Sequence, residues 1–149
     1  MIRGESCPVC DLIRSGKLED AHGITVTYLT FSRLFLAKDQ FVKGYCVLIC
    51  RQHVIEPCEL SAAERVTYLN DLAHVGNVLQ QAFQAAKMNY NNILGNVIPH
   101  LHTHILPRHF TDSAPNRPIN PGLKGYEVYL SAEEYAERIN LIRTYLYER

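Results

Sequence analysis

Apolar residues along this chain recur in two rhythms, every second residue in some stretches and every third or fourth in others. Residues 24–29 (Ile-Thr-Val-Thr-Tyr-Leu) and 33–37 (Arg-Leu-Phe-Leu-Ala) concentrate β-branched and aromatic side chains on either side of a Thr-Phe-Ser turn, which predicts a hairpin. Residues 45–50 (Tyr-Cys-Val-Leu-Ile-Cys) form a short apolar run between Gly44 and the polar Arg-Gln-His, and read as a central strand. From Ser61 the period lengthens: Val66, Leu69, Ala73, Gly76, Leu79, Phe83 and Ala86 fall on one stripe, with Asn70, Asp71, Asn77, Gln81 and Gln84 on other faces. This predicts one helix over 61–87, opened by a capping box in which Ser61 and Glu64 satisfy free backbone donors of the first turn.

Two further strands are predicted at 92–96 and 101–106, joined through Gly95 and Pro99 and ended by Pro107. Residues 111–125, with Pro115, Pro118, Pro121 and Gly122, predict a long irregular segment. A second capping box, Ser131 with Glu134, opens a last helix with Tyr135, Ile139, Ile142 and Leu146 on one stripe. The order of three strands, long helix, two strands and final helix is that of an α+β domain, an antiparallel sheet of about five strands with two helices packed on it. At 149 residues the expectation is a single domain, 1–149, in which 1–20 is an N-terminal Cys-x-x-Cys segment and 111–149 a C-terminal loop and helix.

Charge changes this picture only by exclusion. Fifteen basic residues balance fifteen acidic ones, so no global field holds a nucleic-acid polymer or a membrane surface, and any nucleotide binding must come from local groups. The N-terminus lacks the unbroken apolar run of a signal peptide and no later stretch approaches membrane-spanning length, so a cytoplasmic location is expected. Five cysteines, an odd number, argue against a disulfide framework, and leave Cys7 and Cys10 open to a metal, redox or purely incidental role.

The densest chemistry lies at 96–109, Asn-Val-Ile-Pro-His-Leu-His-Thr-His-Ile-Leu-Pro-Arg-His. On a strand, His100, His102 and His104 project from one side, successive rings about 7 Å apart, while Leu101, Thr103 and Ile105 project from the other. Three imidazoles in line do not readily share one tetrahedral zinc. They do suit phosphoryl chemistry: a neutral imidazole attacks phosphorus, neighbouring ones neutralise oxyanions, and the middle member is best placed to attack. A lone histidine is more often a surface or core residue, but three on one face would each need a partner of their own if buried.

His-Leu-His-Thr-His-Ile-Leu resembles the signature of the histidine triad (HIT) superfamily of nucleotide hydrolases and transferases, and the trailing Pro107-Arg108 resembles its diadenosine-polyphosphate hydrolase branch. Gly44-Tyr-Cys-Val-Leu-Ile-Cys-Arg-Gln-His53 is similar to another strand of that family, and the likeness covers roughly residues 5–110. The resemblance implies an HIT-like fold and a homodimer. It also implies attack by His102 on an α-phosphorus to give a nucleotidyl-histidine that water hydrolyses, with His100 and His104 positioning it and the phosphate oxygens, and with no organic cofactor. Asn89 falls where the family carries a phosphate-side Asn or Gln, Asn96 and backbone donors near Pro99 would bind nonbridging oxygens, and Arg108 and His109 would meet distal phosphates. Of the other histidines, His22, in a predicted loop, and His74, within the long helix, read as structural or exposed.

A structural zinc needs two ligands besides Cys7 and Cys10; His53, at the end of an apolar strand, is a natural third and His100 the fourth. This set resembles the zinc site of several HIT proteins and of galactose-1-phosphate uridylyltransferases, against the alternative of two free thiols and a surface histidine. The chain departs from the family in three places. Tyr45 stands where many members have His, Ala37 where many have Asp or Asn, and Val97 where some have a hydroxyl residue. Asp39, two residues after Ala37, is the candidate for the ribose hydroxyls.

Overall fold

The computed structural model describes residues 7–91, 97–112, 115–119 and 126–147. The predicted hairpin forms as β1 (Gly23–Tyr28) and β2 (Ser32–Ala37), and the apolar run forms β3 (Cys46–Cys50). A 3-10 turn at Pro57–Glu59 leads to the long helix, α2 (Ala62–Ala82), whose Ser61 hydroxyl accepts from the Glu64 amide while Glu64 accepts from the Ser61 amide. β4 (Lys87–Asn91) and β5 (His102–Arg108) complete an antiparallel five-stranded sheet in the order β1-β2-β3-β5-β4. The final helix spans Ala132–Tyr147 and carries the second capping box, Ser131 with Glu134. Among the described residues no helix is long and apolar enough to cross a membrane.

Five expectations change. Residues Pro8–Ser15 fold as a helix, α1, which makes the final helix α2's successor, α3; Pro8 sits in α1's first turn and Gly16 closes it at φ +65°. The long helix ends at Ala82, five residues before the predicted 87, because Gln84 turns left-handed (φ 52°) and releases the chain into β4. The predicted strand 92–96 lies outside the described residues. The stripe on α2 is rotated: Val66 and Leu69 are 57% and 58% exposed, while Tyr68, Val75, Val78 and Leu79 face the core. Asp71, expected on a polar face, is buried because its carboxylate accepts the Phe31 amide at 2.8 Å. Finally, β5 runs through Pro107, which lies beyond the last β3 pair (Cys46 with Ile105), where the strand has one neighbour and a missing N–H is tolerated.

Strand alternation gives the sheet two apolar faces with different fates. On one, Leu34, Leu36, Leu48, Leu101 and Ile105 pack against Tyr68, Val75 and Leu79 of α2 and Tyr135, Ile139 and Ile142 of α3. The opposite face presents Phe35, Ala37, Tyr45, Val47, Ile49, His102 and His104 to a cleft.

Gly44 fixes the turn into β3. Its φ is +84°, its amide donates to Gln40 Oε1 at 3.0 Å, and a Cβ there would stand 2.5 Å from the buried Phe83 ring. Gly44→Ala therefore combines backbone strain with overpacking, and urea unfolding should show a loss of about 2–4 kcal/mol. An unchanged midpoint would mean that the turn and the ring adjust freely.

Candidate active site and metal centre

Two sites meet at the entry to β5. Cys7 caps α1 and Cys10 lies three residues further on, so helical geometry turns both thiols to one side. His53 follows β3 and His100 precedes β5, and backbone bonds from Cys50 N to Leu101 O (3.0 Å) and from Leu101 N to Val54 O (2.7 Å) hold those two ends together. The four donors converge: Cys7 Sγ to His100 Nδ1 is 3.5 Å, Cys10 Sγ to His100 Nδ1 3.6 Å, Cys10 Sγ to His53 Nδ1 3.2 Å, and His53 Nδ1 to His100 Nδ1 3.3 Å. All four ligand atoms lie within 4.8 Å of one another.

The tetrahedral edges around a zinc bound at standard lengths are about 3.3 Å between nitrogens and about 3.6 Å between nitrogen and sulfur, so the spacing fits that ion without rearrangement. His100 also meets the requirement of its outer partner: Nε2 donates to the Cys50 carbonyl at 2.7 Å, which leaves Nδ1 free of hydrogen and aimed at the cluster. Burial, and then the neighbouring Cys7, push the Cys10 thiol up to about 11, and burial holds His100 below its ordinary value. A cation among the four donors is what would draw the thiols into the thiolate form.

The carbonyl of His100 carries the other site. It accepts a hydrogen bond from His102 Nδ1 at 2.6 Å, which places the His102 hydrogen on Nδ1 and leaves Nε2 as a bare lone pair on the ring's opposite side. His102 and His104 line a cleft of about 270 Å³, whereas His100 is 0% exposed and belongs to the Cys/His cluster. The three histidines are thus divided, one to the Cys/His cluster and two to the cleft. His104 Nδ1 lies 2.6 Å from the Tyr45 hydroxyl. Burial, and secondarily His102, hold His104 down to about 4, so it is neutral at physiological pH.

Away from the histidines the cleft is apolar: Phe35, Ala37, Val47 and Ile49 form its floor, and Val9 and Leu12 of α1 border it from another side. Arg33, two residues before Phe35 and on the same strand face, flanks the floor, its guanidinium 4.5 Å from the Phe35 ring centroid, with Nε donating to Thr25 Oγ1 and Nη2 to the Lys17 carbonyl. Asp39 lies on the cleft wall, its Oδ1 accepting from the amides of Phe41 (3.1 Å) and Val128 (2.9 Å). Asp20 and His22 also line the cleft. Neither they nor α1 stood out in the sequence, although Pro8 and Gly16 bracket that helix and Val9 and Leu12 lie one turn apart.

The other candidates gather elsewhere. Arg108 donates to Asn89 Oδ1 at 2.6 Å and to Asp112 Oδ2 at 2.7 Å, and Asn89, Arg108 and His109 line a second cavity of about 550 Å³ rather than the triad cleft. Asn96 lies outside the described residues. Val97 is exposed, and Ile98 lines the triad cleft.

A family model described as HIT domain matches residues 22–111. Among solved structures, a histidine triad protein from Bradyrhizobium japonicum superposes with a TM-score of 0.75 at 24% identity, covering 85% of this chain and 92% of that one. A hypothetical histidine triad nucleotide-binding protein from Sulfolobus tokodaii gives 0.70 at 20% identity over 94% and 91% of the two chains. A Zn-bound histidine triad family protein from Mycobacterium smegmatis gives 0.65 at 16% identity over 95% and 93%. At such identities the likeness is one of fold. No curated protein sequence matches the chain.

The half-buried His104 predicts a pH dependence of stability. Its folded value of about 4 lies below the ordinary 6.5, so the unfolded chain binds more protons between the two. The stabilisation is complete above about pH 6.5 and is lost as pH falls through 4, by up to about 3 kcal/mol. Urea unfolding across this window should show that slope, and His104→Gln should flatten it.

Proposed function

We propose that this chain, which belongs to the HIT domain family, is a nucleotide hydrolase of the diadenosine-polyphosphate hydrolase type that cleaves at the α-phosphate through a nucleotidyl-His102 intermediate. The observation that carries this reading is the His102 Nδ1–H bond to the His100 carbonyl, which presents Nε2 as a lone pair in a cleft with an apolar floor. A flat base fits against Phe35, Val47 and Ile49, and Asp39, whose Oδ1 accepts the Phe41 and Val128 amides, has Oδ2 to offer ribose hydroxyls.

In the first step Nε2 attacks phosphorus in line; the bond to the leaving oxygen breaks and its electron pair stays on that oxygen. The His100 carbonyl stabilises the positive charge that develops on the His102 ring, through the same Nδ1–H. In the second step water adds to phosphorus, the N–P pair returns to Nε2, and the water's proton passes to solvent. Cys7, Cys10, His53 and His100 would hold a structural zinc, as the spacing of their donors and the zinc-bound Mycobacterium relative support. Bound there, it would supply the charge that keeps both thiols ionised, and its four ligands would tie α1 to the entry of β5. A homodimer is proposed as well, supported by the exposed apolar Val66 and Leu69 on α2 and the exposed Tyr90 on β4.

Incubation of wild type and His102→Ala with diadenosine polyphosphates in oxygen-18 water, with products identified by mass, tests the hydrolase. Labelled AMP from wild type and a loss of at least about a thousandfold in the variant are expected. Tight binding without turnover would instead make this a nucleotide-binding protein. For the metal, elemental analysis should find about one zinc per chain. Cys10→Ser should lower both zinc content and the thermal midpoint, and a metal-free protein as heat-stable as the native one would contradict the assignment.

A further inference from the structure

Tyr45 sits in an apolar cluster with Ala37, Val42 and Leu106 and is 6% exposed. Its hydroxyl makes one hydrogen bond among the described residues, to His104 Nδ1 at 2.6 Å. A buried hydroxyl hydrogen needs an acceptor, and Nδ1 is the acceptor in reach, so Tyr45 donates and the His104 hydrogen resides on Nε2. His102, two residues earlier, has the opposite arrangement, with Nδ1–H on the His100 carbonyl and Nε2 bare. The two rings stand edge to face with centroids 5.0 Å apart. One strand therefore presents a lone pair and, beside it, an N–H, each fixed by a partner behind the ring.

We propose that Tyr45 is a positioning residue that locks His104 as a neutral Nε2–H donor, and that this pair suits the cleft to phosphoanhydride substrates and against phosphoramidates. The inference rests on the nucleotidyl-transfer reading above. When a P–O bond breaks, the electron pair stays on the leaving phosphate, an anion that Nε2–H stabilises while keeping its proton. When a P–N bond breaks, the pair stays on an amine nitrogen that must take up a proton, and His104 can release its Nε2 hydrogen only by drawing the Tyr45 hydroxyl hydrogen onto Nδ1, which leaves a tyrosinate that burial disfavours. Burial favours the uncharged form of both groups, lowering His104 and raising Tyr45.

The test has two readouts. Two-bond proton–nitrogen correlations on protein labelled with nitrogen-15 histidine, with His104→Gln for assignment, report which ring nitrogen bears hydrogen in the unmutated, ligand-free chain. His104 is expected as Nε2–H across the neutral range, with a mixture of tautomers in Tyr45→Phe. In turnover, wild type should cleave a dinucleoside polyphosphate at least about a hundredfold faster than the matching nucleoside phosphoramidate. Tyr45→Phe should lower kcat on the anhydride about tenfold with KM little changed. Hydrogen on Nδ1 of His104 in the unmutated chain, or comparable rates on the two substrates, would overturn the inference, and neither readout requires the variant to fold. No turnover of either substrate with His104 as Nε2–H would overturn the hydrolase reading and leave Tyr45 as the residue that sets the tautomer.

Discussion

His100 is fully buried, and each of its polar groups is committed to a different partner. Nε2 donates to the Cys50 carbonyl, Nδ1 faces Cys7, Cys10 and His53, and the backbone carbonyl takes the hydrogen of His102. A buried polar group without a partner costs about 1–3 kcal/mol, so none of these three bonds can be given up cheaply. The N-terminal helix, the end of β3 and the proposed nucleophile therefore share one junction. A shift of His100 toward the cysteines also moves the carbonyl that decides which nitrogen of His102 is free.

The sheet register sets this junction at the edge of the cleft. Phe35 pairs with Val47 and Val47 with His104, so an apolar floor and the histidine row share one face, about 10 Å apart across two strand spacings. α1, close to the cleft through Val9 and Leu12, is tied by Cys7 and Cys10 to the same cluster that contains His100. The Cys/His cluster, the cleft wall and the proposed nucleophile are thus joined in one piece, although the cluster and the cleft are made of different side chains.

Much of this was legible in the sequence because it depends on short-range periodicity. Alternation alone places His102 and His104 together, the two Ser-Glu pairs mark where α2 and α3 begin, and the β-branched runs give the hairpin. What failed depended on longer-range packing. Val66 and Leu69 extend the apolar stripe of α2, yet Tyr68 and Val75 turn inward because the sheet lies on that side. α1 has only eight residues, too few for periodicity to speak, and its role comes from the cysteines that dock it. His22 looks like a loop residue until the hairpin carries it to the cleft, and Asn89 and Arg108, near the triad in sequence, bond to each other beside a separate cavity. The carbonyl that orients His102 carries no side-chain signature at all.

The central claim is that the lone pair presented by His102 is the group that attacks. Rapid mixing with a dinucleoside polyphosphate, an alkaline quench that preserves phosphorus–nitrogen bonds, and mass analysis of the digested chain test it most directly. A nucleotidyl adduct confined to His102 is the result the account predicts. Product formation with the adduct on another residue, or with inversion at phosphorus and no covalent species, would contradict it.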